Sequence, residues 1–156
     1  MEHNEEVKRI CAEEYLNYIR SLVIRVKTTQ DEIEHQKALL GPSGIQYRES
    51  VTQSVTGDAL EKGVIGLQQL IAEFCGDLAE YVEQQRIAHQ VLSKLSRAEY
   101  GAALIGYYVH GKSWEQVCVD MSYSWQGMMK LRRKAIAEVY DHMPEEWRRY
   151  TIPNAV

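Results

Sequence analysis

Ser113–Tyr140, SWEQVCVDMSYSWQGMMKLRRKAIAEVY, is the stretch on which the reading of the 156-residue chain turns. Ser113 and Ser124 each stand just ahead of a run with helical spacing. A serine hydroxyl there can accept from the N–H groups that the first turn of a helix leaves unpaired. Two short helices joined by a tight corner follow. Cys118 is the small side chain where they approach, and Val117, Met121, Tyr123, Met128 and Leu131 are the apolar side chains that face across. The second helix then carries Trp125, Gln126, Met129, Lys130 and Arg133 on its outer side, flanked by Arg132 and Lys134. Such a helix suits a major groove, with its first turn at base edges and its cations near phosphates. The stretch reads as a helix-turn-helix, with Ser124, Trp125, Gln126, Met129, Lys130, Arg132, Arg133 and Lys134 as its candidate DNA-binding residues. The competing reading is a plain helical hairpin with a solvated basic face. Cap, small residue, apolar set and basic outer face together favour nucleic acid.

Outward from this stretch, composition sets the frame. With 45% hydrophobic and 26% charged residues, the chain can bury a core and form one domain or two small ones. Its N-terminus, MEHNEEVKR, is acidic and lacks an apolar export segment, and no run of about 18 apolar residues occurs, so no membrane role is expected. Cys11, Cys75 and Cys118 are odd in number and far apart, which points to a reducing cytoplasm, not a disulfide framework. The five histidines show no ligand spacing, so neither metal nor cofactor is expected. Net charge is −4, but it is unevenly spread: residues 1–93 carry −6 and residues 94–140 carry +3. The positive charge gathers where the helix-turn-helix was read, on an otherwise acidic chain that disfavours indiscriminate DNA binding.

Upstream, residues about 4–40 contain no glycine or proline. Ala12, Leu16, Ile19, Val23, Val26, Gln30, Ile33, Lys37 and Leu40 alternate spacings of four and three. A long helix with a narrow seam is expected, widened by Tyr15, Tyr18 and Leu22 in its first half and interrupted by Gln30 and Lys37 in its second. Gly41-Pro42-Ser43-Gly44 ends it, and residues 41–57 are expected to form a mobile loop in which Tyr47, Arg48 and Glu49 are candidates for partner contact. A second helix, about 58–94, is expected to start at Asp58 as N-cap with Glu61 completing a capping box. Its seam runs Leu60, Val64, Leu67, Ile71, Phe74, Leu78, Tyr81, Gln85, Ala88, Leu92, Leu95. Gly63, Gly66 and Gly76 weaken it unless a partner helix comes close. The two helices fold back as a coiled-coil-like antiparallel hairpin, residues 1–94. Its wide stripe near Tyr15–Val23 is expected to pack on the C-terminal domain or on a second copy. Ser96 is expected to cap a supporting helix, Arg97–Val109, closed by a left-handed turn at His110-Gly111-Lys112. Residues 95–143 then form the helix-turn-helix domain and 144–156 a tail in which Trp147 is a packing anchor. The expected fold is all-α: a long antiparallel helical hairpin followed by a small three-helix helix-turn-helix domain.

Several of these residues also carry a family likeness. Leu95-Ser96, Leu104-Ile105-x-Tyr107-Tyr108, Gly111-Lys112-Ser113-Trp114-Glu115-Gln116-Val117-Cys118, and Ser124 ahead of Met128, Leu131 and Arg132-Arg133-Lys134-Ala135-Ile136 resemble region 4 of sigma-70-type factors. Tyr15-Leu16-x-x-Ile19 and Val51-x-x-Ser54 before Asp58 are similar to small phage and prophage proteins that end in such a domain. The resemblance implies a phage-encoded transcription regulator that binds promoter DNA and contacts RNA polymerase, with Trp125, Gln126, Met129, Lys130 and Arg133 facing the bases. The chain departs from that pattern at Ser122, where the turn usually has glycine, and at Trp125 and Met129, more apolar than most region 4 readers.

Two other functions compete with the regulator. Small terminase subunits of DNA-packaging machines also join a helix-turn-helix to long antiparallel helices, and an adaptor would use the domain on polymerase alone. An enzyme is the least supported class. Gly41-Pro42-Ser43-Gly44 lacks the lysine of a phosphate-binding loop, and Cys75 and Cys118 sit in apolar helical patterns without a histidine nearby.

Overall fold

A computed structural model describes residues 2–40 and 57–148. Residues 41–56 of the expected loop, with Tyr47, Arg48 and Glu49, and the last eight residues lie outside the described ones. The all-α expectation holds: six helices and no strand occur among the described residues. They are α1 (Glu2–Leu40), α2 (Gly57–Leu92), α3 (Ala98–Leu104), α4 (Trp114–Met121), α5 (Trp125–Val139) and α6 (Glu145–Arg148), and a π-helical turn, Ile105–Val109, follows α3. Ile24–Glu80 forms one compact unit, and Met1–Val23 with Tyr81–Val156 forms the other. The line between them falls between Val23 and Ile24 in α1 and between Glu80 and Tyr81 in α2.

In the Ile24–Glu80 unit the two helices are antiparallel, as expected. Arg25 pairs with Asp77 at 3.6 Å near one end, and a Cβ on Gly63 would lie 3.5 Å from Leu40 near the other. The seam differs in phase from the expected one. Val26, Thr29 and Ile33 are buried and Gln36 is half-buried, while Gln30 and Lys37 are exposed. Both phases share Val26, Ile33 and Leu40. At the positions between, the helix turns inward the residue that costs less to dry, threonine over glutamine and glutamine over lysine. The seam of α2 is rotated too: Val64 and Ile71 are exposed and Gly63 and Leu70 half-buried. Asp58 lies within the first turn of α2, not at its cap, and pairs with Lys62 at 3.3 Å.

The other unit holds the main core. Cys11, Ala12, Tyr15, Leu16 and Ile19 of α1 join Ala88, Val91 and Leu92 of α2 and the inner faces of α3 to α5 in one apolar cluster. Burying each large side chain of this kind contributes about 1.5–3 kcal/mol. The wide stripe of α1 is therefore covered by the chain's own C-terminal helices. Trp147 anchors it as expected, with ring centroids 5.7 Å from Tyr15 and 5.2 Å from Tyr18.

Two glycines allow the close approaches on which this core depends. A Cβ on Gly101 would lie 2.8 Å from the Leu92 carbonyl oxygen, and one on Gly106 would lie 3.1 Å from Val117 Cγ2. Ser96 does not cap α3 as expected. The helix begins one residue later, with Arg97 at the cap position making no side-chain cap bond, and Ser96 instead bonds α5. Its backbone N–H donates to Glu138 Oε2 at 3.0 Å and its hydroxyl to Oε1. These bonds hold the Glu138 carboxyl below its usual range.

Candidate nucleic-acid interface

The helix-turn-helix is built by local bonds. Ser113, in an extended backbone conformation, accepts from the Gln116 N–H at 3.1 Å through its hydroxyl, and Ser124 accepts from the Gly127 N–H at 3.0 Å. Both expected caps are present. A Cβ on Gly127 would meet the Ser124 hydroxyl oxygen at 3.0 Å, so glycine there keeps the second cap open. Between the caps Ser122 stands at φ 57°, ψ 43°, and the Tyr123 N–H donates to the Cys118 carbonyl at 2.9 Å. This left-handed corner is the conformation that glycine adopts freely and that costs a serine roughly 1–2 kcal/mol. The departure at Ser122 thus leaves the turn geometry intact.

At the start of α4 lies a stack that no spacing pattern revealed. The Arg20 guanidinium of α1 sits 3.7 Å from the Tyr107 ring centroid, and Tyr107 lies nearly parallel to Trp114 at 4.3 Å. Arg132 of α5 closes the other side, 5.4 Å from the Trp114 ring. Arg20 also donates to the carbonyls of Tyr107 and Lys112, the latter at 3.0 Å, and so ties α1 to the segment entering α4. Burial pushes the phenol of Tyr108 up, and Arg132 beside it offsets part of that rise. Two stacked aromatic rings capped at either end by a guanidinium thus brace the domain, each cation–ring contact contributing about 0.5–2 kcal/mol.

The predicted outer face of α5 does not stand as one surface. Ser124, Trp125, Gln126, Lys130, Arg133 and Lys134 are exposed, Trp125 by 51%. Met129 is half-buried and lines a groove with Arg9 and Glu13 of α1. Arg132 is half-buried in the stack, with its Nε shielded from solvent. Helical geometry explains the division: Met129 and Arg132 lie three residues apart on the side that faces α1 and the stack, whereas Gln126, Lys130 and Lys134 follow at steps of four on the free side. Arg133 borders both, because it is exposed yet shares a groove with Glu5, Glu6 and Arg9. Lys130, Arg133 and Lys134 enter no ion pair among the described residues. By contrast Lys112 is engaged with Asp120 at 2.9 Å. That bond and one from Gln116 at 2.7 Å hold the Asp120 carboxyl below its usual range.

Cys11 and Cys118 are buried and Cys75 is exposed, and no disulfide joins them. Among the described residues there is no group of three or more metal-ligating side chains and no helix long and apolar enough to cross a membrane. Set against family models, curated proteins and solved structures, the chain matches none of them.

Proposed function

We propose that the protein is a sequence-specific DNA-binding transcriptional regulator of phage or prophage origin, acting in the cytoplasm with the first turn of α5 at the base edges of promoter DNA. The observation that carries this reading is the free side of α5. Trp125 and Gln126 are open at its start, and Lys130, Arg133 and Lys134 follow as exposed cations that pair with no carboxylate among the described residues. Cations that no carboxylate neutralises are available to phosphates, and each phosphate contact releases counterions. The two serine caps and the left-handed corner give the helix the setting that a groove-reading helix requires. The region 4 resemblance adds RNA polymerase as a second partner, and the exposed Val64 and Ile71 of α2 add a second copy joining through the hairpin.

The test is titration of promoter fragments with the purified chain. Replacing Lys130, Arg133 and Lys134 together with alanine is expected to lower affinity at least tenfold with no change in melting temperature. Arg132→Ala is expected to act differently, lowering the melting temperature because it opens the Trp114 stack. Unchanged DNA affinity in the triple variant, with loss of polymerase binding, would replace the regulator by an adaptor. A ring of eight or more subunits in sedimentation would replace it by a packaging protein.

A further inference from the structure

The exposed side chains at the corner of the helix-turn-helix are chemically narrow. Trp125 is 51% exposed and Tyr123 36%, and Gln126 beside them is open to solvent. The first turn of α5 contains no acidic residue, and its first cation, Lys130, comes five residues after Trp125. At a rise of 1.5 Å per residue that cation sits about 7.5 Å further along the axis, and Lys134 about 13.5 Å. The four bases make different demands in the major groove. Guanine offers two acceptors, best met by arginine or lysine, and cytosine offers a donor, best met by a carboxylate. Neither kind of side chain stands at the start of α5. Adenine pairs an acceptor with a donor, which a glutamine amide matches with its own donor and acceptor, and thymine alone carries a methyl group. A half-exposed indole gains by covering that methyl, since both surfaces leave water.

Building on the DNA-binding reading above, we infer that the corner selects A·T pairs, with the Gln126 amide on adenine N6 and N7 and the Trp125 ring against the C5-methyl of a neighbouring thymine. Lys130, Arg133 and Lys134 then position the helix on phosphates and carry no base preference. Trp125 and Gln126 are specificity-determining residues in this arrangement, and the apolar character of position 125 is what sets the base read.

A randomised duplex library selected with the purified full-length chain, followed by substitution within the enriched site, tests this. Enriched sites are expected to hold adjacent A and T at the positions that α5 protects. Replacing the contacted thymine by deoxyuridine removes only the methyl. It should weaken binding about fourfold, the ~0.8 kcal/mol of one buried methyl-sized group converted at 1.4 kcal/mol per tenfold. The same replacement should leave the affinity of Trp125→Ala unchanged, and Gln126→Ala should lose roughly fivefold or more of the preference for adenine over guanine. Because the deoxyuridine change alters the DNA alone, no folding defect can mimic it. Enrichment of G·C pairs under α5, or an equal deoxyuridine loss in wild type and Trp125→Ala, overturns the inference and leaves DNA binding standing. Absence of any enriched or bound duplex overturns the DNA-binding reading and this inference with it.

Discussion

Among the described residues the hydroxyl of Tyr15 is buried without a hydrogen-bond partner, and a phenol so placed resists losing its proton. Burial first, and the negative charge of Glu146 second, push it up from 10.0 to about 12. Burial also raises Tyr81, whose hydroxyl donates to the Val109 carbonyl at 2.8 Å, and Tyr108. A phenol whose folded value lies above its unfolded value contributes stability that is whole below pH 10 and lost as pH rises toward 12. Denaturation midpoints measured across that window are expected to fall, and to fall less in Tyr15→Phe. At pH 7 the same variant should match the wild type or exceed it by about 1 kcal/mol, because it removes an unsatisfied polar group and little volume. The apolar stripe around Tyr15 was legible in the spacing of α1. The missing partner was not, because Trp147 and Glu146, which close the site, come from the far end of the chain. Arg132, Arg133 and Lys134 teach the same lesson in the candidate interface. Three adjacent cations look equivalent in sequence, yet a helix turns each by about 100° from the last, so one enters the Trp114 stack and two stay in water.

Glycines separate at the level of the helix according to what surrounds them. Gly66 and Gly76 of α2 have open space where a Cβ would go, and nothing in the structure explains them. The expectation that a partner helix approaches closely there is not met; Gly63 alone faces Leu40, at ordinary contact distance. Replacing Gly66 or Gly76 with alanine should therefore raise stability by up to about 1 kcal/mol each, read as a shift in urea midpoint. Gly101→Ala should do the reverse. The propensity gain of about 1 kcal/mol is opposed by a backbone oxygen 2.8 Å from the new methyl, an obstacle that cannot rotate away. Overpacking of this kind costs about 1–3 kcal/mol, so a net loss is expected. Helix existence and the four-three spacing were legible in α1 and α2 because amphipathic period is a local property. Which of two neighbouring phases faces inward was not, since Thr29 against Gln30 is decided by the surface each would meet.

Charge is a property of the whole molecule, and here it is divided against itself. The chain carries −4 overall while α5 is basic, and Glu5 and Glu6 line the same groove as Arg133. These acids are exposed and close enough to oppose an approaching phosphate backbone. Replacing Glu5 and Glu6 together with glutamine is expected to raise duplex affinity about two- to fivefold at roughly 0.05 M salt, with the gain vanishing near 1 M as screening shortens its reach. Equal affinity at low salt would show that this end of α1 stays clear of DNA. What the sequence alone determined was local: the helical class, the caps at Ser113 and Ser124, and the basic run behind them, although the caps expected at Asp58 and Ser96 did not form. Their causes are bonds spanning three to five positions, visible in any local reading. What only the tertiary structure decided was the division of α5 into a free and a covered side, the burial of the Tyr15 stripe, and the fastening of Ser96 to Glu138 across 42 residues and of Arg20 to Tyr107 across 87. Those depend on which surfaces meet when distant segments share one core, and a side chain's neighbours there are set by packing, not by its place in the chain.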